Sequence, residues 1–319
     1  MMSFVKKDCE ILSGLNQVVN VESNSFLPTV SLFKAVLNCD LVFCWFGKMQ
    51  AFWAVLFAKM LHKKSIVIAG GDDVINMPEI KYGVYSFWWK KWCPDFVFKY
   101  CDSILAVSEY NKRETITNTS VSPQKVDMIY HGFEENKYRP AAKIMQIITV
   151  GEITYETLKR KGLSLFVEAA RLLPAYKFVL IGNCRDGSIN NLKEMAGKNV
   201  LFTGWVEEDT LAKYFAESNI YIQASYHEAF GCSVAEAMLG GCIPVVSRRA
   251  ALPEVVGDTG IYIEEQTPKA VAEAIKKALA LPDDYGLKAR QRIIDVFPLE
   301  KRKEALLKAV EDVMNGIYG

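Results

Sequence analysis

The sequence predicts an α/β protein built of two Rossmann-like βαβ domains facing a central cleft. Three observations predict it. Short β-branched runs alternate with amphipathic helical patterns along the whole chain, as parallel sheets covered on both faces require. At 319 residues the chain exceeds one ordinary core of ~100 to 200 residues, so two domains are expected. The polar stretch NKYRPAAK, Asn136 to Lys143, carries a proline and separates two such series. The domains therefore fall at 1–140 and 144–298, with 299–319 a terminal helix returning to the first.

Taken in order, FVKKDCEILSGL (Phe4 to Leu15) reads as a helix. A βαβ unit normally opens with a strand and a turn, so the first domain is expected to lack its opening strand. LVFCWF is a strand, followed by a turn at Gly47 and a buried helix from Gln50 to Leu61. The stretch Leu41 to Leu61 has the length of a membrane span, but Lys48, Gln50 and Lys59 interrupt it. SIVIAGG, SILAVS and KVDMIYHG continue the first series of strands. Between them YSFWWKKWCPDFVF, Tyr85 to Phe98, reads as core or groove lining. The alternative is a membrane-surface run, because tryptophan mixed with lysine is an interfacial pattern. The second series is IMQIITVGE, YKFVLIGN, NVLFTGWV, IYIQAS, CIPVVS and GIYIE. The chain closes with a helix from Pro298 that carries Leu299, Leu306, Val310 and Val313 on one face.

Composition narrows the function. Half the residues are apolar and 24% are charged, the balance of a soluble globular protein. A net charge of +1 gives no basic footprint for nucleic acid. The eight cysteines are scattered without a CxxC and read as reduced thiols, which points to the cytoplasm. None of the three histidines has a companion at metal-ligand spacing, so no metal is expected.

Two stretches carry chemistry. In SYHEAFGCSVAEAM a strand ends at Ser225, a loop runs from Tyr226 to Gly231, and a helix from Ser233 to Leu239 is closed by Gly240 and Gly241. Glu228 then sits on the loop at the carboxyl end of a strand, where open α/β sheets bind ligands. It reads either as an exposed loop carboxylate or as a ligand group, with Phe230 as anchor and Gly231 as approachable backbone. A carboxylate beside free N–H groups suits a polyhydroxyl ligand. Glu236 falls in the first helical turn, where SVAE also fits a capping box.

The other stretch is VGEITYETLKRKGLSLFVEAARLLP. It sets Lys159, Arg160 and Lys161 at the N-terminus of an expected helix from Gly162 to Leu173, where the macrodipole disfavours each cation by ~0.3 to 1 kcal/mol. A diphosphate there would offset the penalty. A solvated basic turn balanced by Glu152 and Glu156 is the alternative.

The order of GE, KG, KFVLIGN, NVLFTGWV and SYHEAFGCSVAEAMLGGCIPVVSRRAALPEVVG resembles the retaining glycosyltransferases of GT-B fold, in the large family numbered four. The resemblance covers Ile147 to Ile263 closely and the first domain loosely. It implies transfer of a hexose from a nucleoside-diphosphate sugar to an acceptor hydroxyl, with no cofactor or metal. By that resemblance Glu228 would hold hydroxyls of the donor sugar and Glu236 the ribose. Lys161, with Arg160, would neutralise the diphosphate. Gly151 lies beside it, backbone N–H groups at Gly231 and Cys232 behind Phe230 would cradle donor and phosphate, and Val206 would meet the base.

Departures from the family pattern bear on the role. Glu152 stands where an arginine is common, with Lys159 or Arg160 as the substitute, and Ala229 stands where a glycine is usual. Ala250 and Ala251, behind Arg248 and Arg249, replace a glycine pair. Gly70 and Gly71 replace a donor-facing histidine, and His131 replaces an asparagine and reads as structural. A sugar-nucleotide-binding regulatory protein without transferase activity is therefore the second reading, and a nucleotide-sugar epimerase the third. The partners implied are a nucleotide sugar and a hydroxyl acceptor, lipid-linked by the Trp-rich run, at a cytoplasmic site peripheral to the membrane.

Overall fold

The computed structural model describes residues 3–14, 18–21, 27, 29–282 and 284–317. They form two compact units, 1–132 with 299–319 and 133–298.

In the first unit, helices α1 (Ser3–Ser13) and α2 (Val30–Leu37) precede β1 (Leu41–Trp45). Then come α3 (Met49–Met60), β2 (Lys64–Ala69), α4 (Trp92–Tyr100), β3 (Ser103–Ala106), α5 (Glu109–Thr119) and β4 (Val126–Met128). The expected end of the first helix at Leu15 lies outside the described residues. The sheet is parallel in the order β1-β2-β3-β4. Sequence neighbours are spatial neighbours throughout, so this sheet has no point at which strand order reverses. Among the described residues no strand precedes Leu41.

The apolar stretch from Leu41 to Leu61 resolves into β1 and α3, and no described helix is long and apolar enough to cross a membrane. The Trp-rich run departs from the core-lining expectation. Val97 and Phe98 are fully buried, but Trp88, Trp89 and Trp92 are exposed. Only one face of α4 meets the core, and the segment before it lies on the surface.

The second unit holds β5 (Ile144–Val150), α6 (Tyr155–Arg160), α7 (Leu163–Arg171), β6 (Lys177–Ile181), α8 (Ser188–Met195), β7 (Val200–Gly204), α9 (Glu208–Glu217) and β8 (Ser218–Gln223). It continues with α10 (Cys232–Leu239), β9 (Ile243–Ser247), α11 (Leu252–Val256), β10 (Ile261–Ile263), α12 (Pro268–Leu279) and α13 (Tyr285–Val296). The parallel order is β10-β9-β8-β5-β6-β7. From β5 the chain winds outward through β6 and β7, then returns to pair β8 against the other side of β5. The order therefore reverses between β5 and β8, where open α/β sheets form a binding crevice.

The polar stretch 136–143, expected as a linker, is held within this unit. Arg290 donates to Tyr138 O at 2.8 Å and Leu239 O at 2.5 Å, and the Tyr138 ring meets Phe215 edge-on at 5.6 Å. The last helix, α14 (Leu299–Met314), groups with the first unit. Its buried Arg302 donates to both oxygens of buried Asp8 at 2.7 Å and reaches Ile129 O and Tyr130 O. Removing one partner of such a buried pair leaves an uncompensated charge and costs ~3 to 5 kcal/mol.

Candidate functional site

The carboxyl ends of β5 and β8 carry both informative stretches. After β5, Gly151 leads into α6, whose N-cap Thr154 accepts from Thr157 N in a capping box. The helix expected from Gly162 is present as α7 with Gly162 as its N-cap, and the structure adds α6 ahead of it. Lys159 and Arg160 lie in the last turn of α6, and Lys161 is its C-cap. The negative end of α6 favours these cations, while Lys161 also directly precedes the Gly162 N-cap at the positive end of α7. The local reason is the 154–157 capping box, which nucleates a separate short helix ahead of α7.

Gly162 starts α7 at φ 66, and a Cβ there would meet Ala224 O at 2.1 Å. Only glycine allows the backbone to rest so closely on the end of β8. Tyr226 N donates to Arg160 O at 2.7 Å, which fastens the two loops together. Lys161 is thereby brought to Glu228, with Nζ 3.7 Å from Oε1. The Lys161 side chain runs across Gly151, where an added Cβ would stand 3.1 Å from its Cδ.

Glu228 is held from below. Tyr221, Gln223 and Ser225 alternate along β8 and its end, and period-two geometry puts all three on one face. Gln223 Nε2 and Ser225 Oγ each donate to Glu228 Oε1 at 3.0 Å, while Tyr221 OH donates to Gln223 Oε1 at 2.7 Å. Both hydrogen bonds and the Lys161 contact thus fall on Oε1. Among the described residues Oε2 accepts none. Burial pushes the Glu228 carboxyl up, but Lys161 foremost, then Arg160, His227 and the Ser225 hydroxyl, hold it below the usual carboxylate range. It is an ionised group with one oxygen committed and one open.

Gly231, at φ 105, is the N-cap of α10, so the helix begins at Cys232. Ser233 is therefore not the cap residue, and the expected capping box is not formed. Glu236 instead stands in the second turn of the helix, half-buried, hydrogen-bonded to the Tyr138 hydroxyl. Burial first, then the Glu236 charge, push the Tyr138 phenol well up. Phe230 is buried, stacked on Phe133 at 5.9 Å and edge-on to Phe297 at 5.3 Å. Its ring is an anchor, and only its backbone faces the loop.

Arg160 pairs with Glu156 at 2.8 Å, and Glu152 with Arg185 at 2.6 Å. Val206 is half-buried just past the end of β7, an edge strand separated from β5 by β6. The structure thus gathers Lys161, Arg160, Gly151 and Glu228 in one place and carries Val206 to the edge of the sheet. Sequence reasoning missed Gln223 and Ser225. The alternating polar positions in IYIQAS were the available signal. No cluster of metal-ligating side chains occurs among the described residues.

Two parallel α/β units, the second with a strand reversal, match the GT-B class of fold in the solved structures they resemble. Residues 145–280 match the family model of glycosyl transferases, group 1. In sequence the chain is 30% identical over 195 residues to a phosphatidylinositol N-acetylglucosaminyltransferase component of Arabidopsis thaliana, covering 56% of this chain and 42% of that protein. It is 29% identical over 129 residues to O-antigen chain mannosyltransferase B of Escherichia coli, covering 38% and 34%. The chain spans about half the length of the first relatives it matches.

Among solved structures, sucrose-phosphate synthase from Thermosynechococcus elongatus superposes with a TM-score of 0.80 at 16% identity, covering 98% of this chain and 93% of that one. Anabaena HepE in complex with UDP and glucose gives 0.76 at 15% identity, covering 88% and 80%. At these identities the likeness speaks for the fold.

Proposed function

We propose that the protein is a retaining glycosyltransferase of family four, moving a hexose from a nucleoside-diphosphate sugar to an acceptor hydroxyl. The observation that carries this reading is the Glu228 carboxylate at the strand reversal, with Oε1 saturated and Oε2 open beside the Lys161 ammonium. A group poised in this way accepts hydrogen bonds from sugar hydroxyls while an adjacent cation meets the diphosphate. Relatives named as N-acetylglucosaminyl- and mannosyltransferases, and a neighbour holding UDP and glucose, support a hexose donor.

In this reading Lys161 neutralises the leaving diphosphate, with Arg160 behind it and Lys159 in the role of the family's missing arginine. Glu236 takes the ribose, the backbone at Gly231 and Cys232 the phosphates, and Val206 the base. No nucleophilic side chain is assigned, so the acceptor oxygen forms its bond to the anomeric carbon on the face from which the diphosphate departs. The bond to phosphate oxygen breaks with its electron pair, and that diphosphate takes the acceptor proton. Cations at the departing oxygens stabilise the transition state more than the ground state, which is what lowers the barrier. A relative acting on phosphatidylinositol supports a lipid-linked acceptor and a place in glycolipid or polysaccharide synthesis.

The second reading, a sugar-nucleotide-binding protein without transfer, draws on Glu152 being bound to Arg185 where a diphosphate cation is common. Calorimetric titration with UDP, GDP and ADP and their sugars, alongside release of diphosphate from each sugar, separates the two. Binding with donor turnover that Glu228→Gln removes supports transfer. Binding without turnover of any donor supports the second reading, and failure of every nucleotide to bind sinks both.

A further inference from the structure

We propose that the first unit docks on an anionic lipid bilayer through the surface of Trp88, Trp89, Trp92, Lys90, Lys91 and Lys99. Trp88 is 77% exposed, Trp89 55% and Trp92 49%. Scattered surface apolar residues are ordinary, but three exposed indoles within five residues form a patch of the kind that marks a contact surface. The rings are backed by the fold. Trp92 meets Phe52 of α3 edge-on at 5.4 Å, Phe52 lies 4.7 Å from Phe96, and Phe96 4.7 Å from Tyr100. Trp89 rests 5.4 Å from Phe87, with Trp88 edge-on to it at 5.9 Å. A ridge packed on core rings keeps its shape in the free protein and loses little conformational entropy on docking.

The charge of this surface selects its partner. From Trp88 to Tyr100 the chain carries three lysines against one acid, Asp95, which accepts from the Tyr85 hydroxyl at 2.6 Å. Lys90 Nζ stands 4.2 Å from the Phe87 ring centre and Lys99 Nζ 5.4 Å from that of Tyr100. Lys125 adds a cation here, donating to Lys99 O at 2.8 Å. The whole chain has a net charge of only +1, so this face is a local concentration of positive charge. Protein interfaces deplete lysine from their centres. The lipid headgroup region instead takes tryptophan and lysine together, with the indoles at headgroup level and the ammonium groups on anionic phosphates.

No described helix is long and apolar enough to cross a membrane. This inference concerns the first unit and does not depend on the donor reading of the second.

The test is co-sedimentation of the full chain with phosphatidylcholine vesicles and with mixed phosphatidylcholine and phosphatidylglycerol vesicles, at low and high salt. Binding is expected to the mixed vesicles, weakened by salt. The double change Lys90→Ala with Lys91→Ala should reduce it about 30-fold at low salt. Trp88→Ser with Trp89→Ser should reduce it at least as much while the thermal transition and far-ultraviolet dichroism stay unchanged, since both side chains are exposed. No vesicle binding, binding indifferent to these changes, or a self-association of the chain that the tryptophan changes abolish would each overturn the proposal.

Discussion

Lys161 Nζ lies 3.7 Å from Glu228 Oε1, across the reversal between β5 and β8. At that distance the two are ion-paired without a direct hydrogen bond. The ammonium therefore keeps its donors for a further anion, and the carboxylate stays charged although half-enclosed.

Glu228→Gln preserves the shape of the side chain and removes its charge. Donor turnover is expected to fall on the order of 100-fold. The thermal transition should be nearly unaffected, because Lys161 retains access to solvent. Steady-state release of nucleoside diphosphate measures the loss; turnover at the parent level would remove Glu228 from its assigned role.

For Lys161→Ala the expected change is in affinity. Loss of a charged hydrogen bond to diphosphate costs about 1.5 to 3 kcal/mol. Titration with the nucleoside diphosphate should show Kd rising at least about tenfold.

Gly162→Ala tests how the pair is assembled. The residue has φ 66, and its Cβ would fall 2.1 Å from Ala224 O, so the start of α7 must lift off β8. Roughly 1 to 3 kcal/mol of strain is expected, seen as a lower unfolding midpoint in urea. Donor affinity should fall with it, since Lys161 moves away from Glu228. A variant with parent stability and affinity would mean that this close approach is unimportant.

Gln223 is a positioning residue, donating to Glu228 Oε1 at 3.0 Å. In Gln223→Ala the carboxylate loses a donor that favours its charged form, so its pKa rises towards the ordinary range. The acid limb of the pH profile for turnover should move up, with kcat/KM down about tenfold. A uniform loss of activity with an unmoved acid limb would indicate a structural effect alone.

Asp73 governs a pH effect in the first unit. Its carboxylate accepts from Gly47 N at 2.7 Å and Gly71 N at 2.9 Å. Burial first, then the Asp72 charge, push it up to about 6 from 3.8. The folded state therefore holds this proton more tightly than the unfolded chain, and the contribution of Asp73 to stability falls as pH climbs from about 4 to about 6. A rise of two pH units corresponds to at most about 3 kcal/mol. Urea unfolding at pH 4.5 and 7 should show the parent losing stability relative to Asp73→Asn between the two values; a constant difference would refute it.

The α/β class and the ten strands of the described residues are legible in the residues themselves, because hydrophobic periodicity is a local property, and the KG and glutamate motifs stand out by family resemblance. The environment of Lys159 and Arg160 is not legible, since a capping box at 154–157 starts a short additional helix ahead of the expected one. The capping role for Ser233 and Glu236 fails for a similar reason, with Gly231 taking the cap. The Trp-rich run reads as core, and packing is what shows which side of α4 is covered. Folding in three dimensions returns β8 to pair with β5, which sets Lys161 beside Glu228 although 66 residues lie between them. Strand order depends on contacts between distant segments, and no local pattern in the chain encodes which oxygen of a carboxylate those contacts will leave open.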